Sequence, residues 1–287
     1  MTDIYSRPIH WYPGHMAKAM RQMKEKLNLI DVIIEVLDAR CPLSSINPSI
    51  KEAIKEKPLL LVLNKTDLAD DTVTKMWVKE LSKTYMVVVT DSLNGTKNIE
   101  LISSALDKLL EDKIKSAKER GMSIYPLKAM VVGIPNSGKS TFMNNLAKRK
   151  VLEVGNKPGV TKNQQYLKTS DKLLLLDNPG VLWPKLENQT QAKILALSGS
   201  IKDEILDIES IVRFGLDLLK ENYPNFLKLR YKLESLDGDL VDQIARKRGC
   251  ILRGNEIDYP KVYDIILRDI RSGKIGRISF ERPNWFI

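Results

Sequence analysis

Residues 128–141 read KAMVVGIPNSGKST, an apolar run that breaks at Gly133 and resumes as a helix-like run after Gly138-Lys139-Ser140. The spacing Gly133-x-x-x-x-Gly138-Lys139-Ser140 is a phosphate-loop pattern, set where that pattern belongs, between a strand and a helix. Its residue types follow from the chemistry. Glycines let backbone N–H groups turn inward onto phosphate oxygens, and the next helix adds its positive N-terminal end. Lys139 is then expected to neutralise the β- and γ-phosphates and Ser140 to ligate Mg²⁺, with Asn136, Ser137 and Thr141 in the same nucleotide site.

On both sides of this loop, strand-like and helix-like runs alternate. Residues 29–37, 58–63, 85–90, 128–133 and 172–177 are short, aliphatic or β-branched, and bounded by turn or charged residues. Residues 49–56, 72–83, 98–120 and 139–148 carry apolar positions at helical spacing. This alternation predicts an α/β fold with a mostly parallel sheet and helices on both faces. Beyond about residue 187 the strand signal ends, and 191–201, 204–221, 224–232, 239–248 and 260–271 read as helices, two of them opening at a proline. We therefore expect three spans: an N-terminal segment, 1–27, with a helix-like stretch and the motif WYPGH; an α/β domain, 28–187; and an all-helical C-terminal domain, 188–287.

The strand before residue 64 ends in Asn64-Lys65-Thr66-Asp67, at the carboxyl edge where open α/β sheets bind ligands. A carboxylate such as Asp67 can accept from the ring N–H and the exocyclic amine of guanine, a pair of donors that adenine lacks, so the wrong base leaves it unpaired. By itself an Asn-Lys-Thr-Asp turn could simply cap the next helix; beside a phosphate loop it points to GTP. Asp91 and Ser92, after the next strand, either back the base with main-chain N–H groups or form a polar turn. Asp177-Asn178-Pro179-Gly180 closes a further strand, placing Asp177 to hold a magnesium-bound water and the Gly180 N–H to reach the γ-phosphate. Thr161, in a Pro/Gly-rich segment, is a candidate to close over the metal or an ordinary turn threonine. In ordinary regulatory GTPases the base-reading motif follows the phosphate loop; here it precedes it, so the predicted domain is circularly permuted. The permutation is tolerable because all four loops need only spatial adjacency at one sheet edge.

The 287 residues carry 46 Lys and Arg against 36 Asp and Glu, a net charge of +10, which favours a polyanionic partner. Ten basic residues against five acids fall within 246–282, and Arg246-Lys247-Arg248-Gly249 and Arg271-Ser272-Gly273-Lys274 have the form of RNA phosphate contacts flanking helices. For any one of them a solvated face is the alternative. The two cysteines, Cys41 and Cys250, supply neither a disulfide framework nor a cysteine-rich metal site. No apolar run approaches a membrane span and the first residues lack a signal peptide's core, so we expect no membrane partner and a cytoplasmic location.

WYPGHMAKA (11–19), DARCPLSSINP (38–48), LNKTDL (63–68), GIPNSGKST (133–141), NKPGVT (156–161), DNPGVLWPK (177–185) and GKIGRISFE (273–281) together resemble the RbgA/YlqF family of circularly permuted bacterial GTPases across essentially the whole chain. The resemblance implies a GTPase assisting late assembly of the large ribosomal subunit, whose helical domain contacts ribosomal RNA. It also implies roles for two residues. Hydrolysis commonly uses a glutamine directly after the glycine of the Asp-x-x-Gly motif to aim the attacking water, and here that position is Val181. The family assigns catalysis to the histidine of the N-terminal motif, which is His15; the other reading of His15 is a helix start. Asn136 matches the asparagine that helps hold K⁺ in several related GTPases, the alternative being a loop-stabilising role. The expected cycle has γ-phosphate and Mg²⁺ order the segments after Gly180, with GTP hydrolysis to GDP and phosphate releasing the pre-ribosome. Two rivals remain at this stage: a P-loop ATPase or kinase, against which Asn64 and Asp67 argue, and a nucleotide-gated RNA-binding module without significant hydrolysis.

Overall fold

Strand β1 (Val32–Asp38) is buried along its whole length, because it pairs in parallel on both edges. Its neighbours are β2 (Leu59–Asn64), which leads to β3 (Met86–Val89), and β4 (Leu127–Val132), which leads to β6 (Leu173–Asp177); a short β5 (Tyr166–Lys168) closes the far edge. The order is β3-β2-β1-β4-β6-β5, parallel except for the antiparallel β5–β6 pair. The order reverses between β1 and β4, so the loops after β1, β2, β4 and β6 meet at one carboxyl edge, where doubly wound sheets place ligands. The computed structural model describes residues 9, 11, 13–55, 57–90, 95–147, 166–170 and 172–283, side chains at 95–97 excepted.

Twelve helices are described: α1 (Gly14–Lys26), α2 (Pro42–Ser45), α3 (Pro48–Ile54), α4 (Asp71–Leu81), α5 (Gly95–Leu109), α6 (Glu111–Glu119), α7 (Lys139–Leu146), α8 (Gln189–Leu197), α9 (Ile208–Asn222), α10 (Pro224–Tyr231), α11 (Leu240–Arg248) and α12 (Tyr259–Arg271). Asn47, Asp70, Asn188, Asp207, Asp239 and Asp258 each accept backbone N–H bonds at the head of α3, α4, α8, α9, α11 and α12, satisfying donors that a helix start leaves unpaired.

Side-chain alternation along the strands divides the core. Val32, Ile34, Val36, Ala129 and Val131 face α5 and α7 through Ile102, Leu106, Phe142 and Leu146. Ile33, Met130, Val132 and Leu176 face the other way, into a cluster that takes in Met16, Ala19 and Met23 of α1, Leu195 of α8, Leu216 of α9, Ile244 of α11 and Ile266 of α12. The C-terminal helices thus share a core with one face of the sheet. A third cluster, with Leu37, Leu61 and Leu63, holds Trp77 of α4.

Three details differ from the sequence reading. β1 starts at Val32 because Leu27–Leu29 form a 3-10 turn after α1. The single helix expected over 98–120 is two, α5 and α6, divided at Leu110, which turns into the core beside α5 while α6 buries no residue. β5 and α2, three and four residues long, are too short to show a period. Among the described residues no helix is long and apolar enough to cross a membrane.

Candidate functional site

The phosphate loop is built from backbone that only small or special residues adopt. Gly133 and Gly138 lie at φ 144° and 91°, and Asn136 at 57°. A Cβ on Gly133 would stand 2.5 Å from the Val36 carbonyl oxygen, and one on Gly138 would stand 2.3 Å from the Asn64 amide nitrogen. Lys139, first in α7, is buried and donates to the Ile134 carbonyl at 2.8 Å. Burial pushes its pKa down to about 8, against the opposing charge of Asp177. Asp177, at the end of β6, is fully buried, and neither carboxylate oxygen meets a well-aligned hydrogen-bond partner among the described residues; burial pushes its pKa up to about 6, against the lowering effect of the Lys139 charge and the nearby Asn178 backbone N–H. An orphaned buried carboxylate close to the phosphate-loop lysine fits a residue that holds a magnesium-bound water. Gly180 follows directly against the loop: a Cβ there would come within 2.7 Å of the Pro135 backbone and 2.9 Å of the Lys139 amine. The Val181 N–H donates to the Gly133 carbonyl at 3.2 Å, and its side chain is buried.

The Asn64–Asp67 loop is laced to the phosphate loop. The Asn64 amide donates to the Ser137 carbonyl at 3.0 Å, and the Lys65 ammonium bridges the Asn136 carbonyl and Asp38, at 2.9 Å from the latter. The Thr66 hydroxyl donates to the Thr90 carbonyl at 3.0 Å. Asp67 is exposed. Ser137 keeps a buried hydroxyl with no partner among the described residues, while Ser140 and Thr141 occupy the first turn of α7. Asp91, Ser92 and Thr161 lie outside the described residues.

Sequence reasoning gave no role to Asp38 and Arg40, although both stand at the ligand-binding edge as β1 ends. Both are buried. Arg40 donates to Asp38 through Nε at 3.0 Å and Nη2 at 2.8 Å, and through Nη1 to the Arg271 carbonyl at 3.2 Å, with its guanidinium over the Phe280 ring. Burial alone would raise the Asp38 pKa; the Arg40 and Lys65 charges outweigh it and hold the carboxyl well below the usual range. Asp-x-Arg at the carboxyl end of a central strand is the signal that could have revealed this pair.

His15 is exposed at the head of α1, its pKa lowered by burial and then by Lys202. Its neighbour Met16 is buried, with its sulfur 3.4 Å from the Leu182 nitrogen, so α1 is docked beside the segment after Gly180. Trp11 packs in the core. The Asn136 amide donates to the Gly199 carbonyl at 2.6 Å, tying the phosphate loop to the end of α8.

Part of the basic cluster is structural. Arg271 pairs with Asp203 and donates to the Ala196 carbonyl at 2.9 Å, and Arg277 pairs with Asp71; Arg248 donates to the Arg230 carbonyl at 2.9 Å over the Tyr231 ring. All three are occupied by the fold itself, which for Arg248 and Arg271 corrects their reading as phosphate contacts. Arg246, Arg253, Lys261 and Lys274 are exposed without an ion pair among the described residues.

A family described as 50S ribosome-binding GTPase matches residues 128–234. Ribosome biogenesis GTPase A of Bacillus licheniformis is 45% identical over 279 residues, covering 96% of this chain and 98% of its own. Mitochondrial ribosome-associated GTPase 1 of Xenopus tropicalis is 35% identical over 253 residues, covering 84% of this chain and 80% of its own. The solved structure of GNP-bound YlqF from T. maritima superposes with a TM-score of 0.63 at 28% identity, covering 93% of this chain and 99% of that one. With the phosphate loop, the Asn64–Asp67 loop and the Asp177 loop gathered at one sheet edge in permuted order, the chain belongs to the ribosome biogenesis GTPase A (RbgA/YlqF) family.

Proposed function

We propose that this chain, a GTPase of ribosome biogenesis, binds the precursor of the large ribosomal subunit in the cytoplasm, assists a late assembly step and leaves when GTP has been hydrolysed to GDP and phosphate. The observation that carries the reading is the bond from the Asn64 amide to the Ser137 carbonyl, which joins the Asn64–Asp67 loop to the phosphate loop despite their reversed order in the chain and so supports a single guanine-nucleotide site. Mg²⁺, when bound, offsets charge on the β- and γ-phosphates. Ser140 and Asp177, the latter through water, are the residues that would hold it, with Thr161 closing over it. Lys139 leaves the Ile134 carbonyl for phosphate oxygens, and the Gly180 N–H senses the γ-phosphate. Asp67 accepts from guanine, with Asp91 and Ser92 backing the base.

Val181 cannot orient water by hydrogen bonding, so the polar group comes from elsewhere, and His15 is our candidate. Docking of α1 on Leu182 supports it, since His15 adjoins the segment that the γ-phosphate orders. The Asn136 amide oxygen is the protein's donor to a K⁺ that would offset charge developing between the phosphates. Arg246, Arg253, Lys261 and Lys274 are the phosphate contacts to ribosomal RNA. The phosphate loop reaches the helical part directly through Asn136 and Gly199, a route by which nucleotide state can alter RNA affinity. The buried Val181 favours one second reading, a nucleotide-gated RNA-binding module with little hydrolysis.

Co-sedimentation with ribosomal particles in GTP, GDP and a non-hydrolysable analogue, with multiple-turnover assays in K⁺ or Na⁺, tests these points together. We expect retention on large-subunit precursors only with GTP or the analogue, and particle- and K⁺-stimulated turnover that His15→Ala loses while still binding GTP. Retention without turnover supports the second reading, and nucleotide-independent retention rejects both.

A further inference from the structure

The stretch 276–281, which follows α12, runs along the outside of the loop carrying Asp67. The Ile278 N–H donates to the Leu68 carbonyl at 3.0 Å. Arg277 donates through Nε to the Ala69 carbonyl at 3.0 Å and through Nη2 to the Thr66 carbonyl at 2.6 Å, while Nη1 pairs with Asp71 at 2.7 Å. Carbonyls on both sides of Asp67 are thus held by a segment more than 200 positions away in the chain. The stretch is itself anchored. The Phe280 N–H donates to the Arg40 carbonyl at 2.7 Å, the Trp77 indole donates to the Glu281 carbonyl at 3.1 Å, and the Glu281 carboxylate accepts from the Ser44 hydroxyl at 2.6 Å.

The Asp67 carboxylate makes no hydrogen bond among the described residues, so its position is set by the backbone that carries it. That backbone starts at Lys65, in the left-handed region at φ 61°. Lys65 and Asn64 clamp its inner side onto the phosphate loop, and Arg277 clamps its outer side. A carboxylate that must meet two donors of a planar base at once tolerates little displacement.

We propose that Arg277 is a positioning residue for guanine recognition: by holding the Thr66 and Ala69 carbonyls it fixes the Asp67 carboxylate against the two N–H donors of the base, making the C-terminal stretch part of the nucleotide-specificity site. This rests on the reading of Asp67 as the base-reading carboxylate.

The test titrates the full chain and its variants with GDP, inosine diphosphate and xanthosine diphosphate, recording the melting temperature of each nucleotide-free protein. Inosine lacks the exocyclic amine, so the GDP-to-inosine-diphosphate affinity ratio reports the second contact to Asp67. Arg277→Met is expected to weaken GDP about tenfold, the worth of one hydrogen bond to a charged group, and inosine diphosphate less, so the ratio narrows. Arg277→Lys, which cannot reach both carbonyls, gives an intermediate ratio and replaces the Met variant should that one not fold. Asp71→Asn, which removes only the ion pair, keeps the wild-type ratio. A lowered melting temperature with an unchanged ratio overturns the proposal. Asp67→Asn checks the underlying reading separately: its preference must move from GDP toward xanthosine diphosphate, whose C2 oxygen suits an amide donor. If that shift occurs while Arg277→Met keeps the wild-type ratio, only the positioning role fails; if it does not occur, the base-reading role fails as well.

Discussion

Asp177 illustrates a residue kept at a cost to the nucleotide-free fold. Its two carboxylate oxygens are buried without a well-aligned hydrogen-bond partner among the described residues, and the cost of burial outweighs what the Lys139 charge and the Asn178 backbone N–H return. Replacement by asparagine removes the charge while keeping the shape. We expect Asp177→Asn to raise the stability of the nucleotide-free protein by about 1–3 kcal/mol, read as a higher urea midpoint with unchanged slope, while Mg²⁺-dependent GTP turnover falls at least tenfold. A lower midpoint would show that the carboxylate has an internal partner. The motif singles out Asp177 in the sequence as a candidate, because its spacing to Gly180 is local. The Asp38–Arg40 pair left only a short Asp-x-Arg signal in the sequence, and the contact of Asp38 with Lys65 left none. Lys65 could be read there only as part of the base-reading motif, and its second task, bridging Asp38 and the phosphate loop, depends on β1 and β4 lying side by side.

At the scale of elements, the β-strands bordering the site were readable because each is an apolar run ending in a turn motif. The C-terminal stretch was not, since it has no regular period and its partners are α2, α4 and the base-reading loop. Its contact with α2 has a titratable core. Burial pushes the Glu281 pKa up to about 7 from an ordinary 4.5, against the lowering effect of the Ser44 donors. A carboxyl with a raised folded pKa binds more protons folded than unfolded, so its contribution to stability falls as pH rises from about 4.5 to 7. The wild-type protein should therefore lose stability relative to Glu281→Gln between pH 5 and 8, by up to about 3 kcal/mol, as measured by urea denaturation at a series of pH values. Parallel curves for the two proteins would mean that Glu281 titrates as in the unfolded chain.

For the whole molecule, the apolar cluster on one face of the sheet runs without a break from Met16 of α1 through Met130 and Leu176 to Leu216 and Ile266 of the C-terminal helices. Arg40, Asn136 and Arg277 add polar ties across the same boundary. Calorimetry should accordingly show one cooperative melting transition for the full chain, with calorimetric and van't Hoff enthalpies in agreement; two separated transitions would show that residues after 188 melt on their own. Sequence alone determined the phosphate loop of this protein and marked the Asn64–Asp67 and Asp177–Gly180 turns as candidates beside it, each a short run whose residue types are read locally. It also determined the alternation of strands and helices, because periodicity is a property of neighbours in the chain. Only the tertiary structure decided which basic residues stay exposed and which are spent on the fold, that Arg40 joins β1 to the end of α12, and that Arg277 holds the loop behind Asp67. Those facts depend on distances between residues far apart in the chain, which no local pattern encodes.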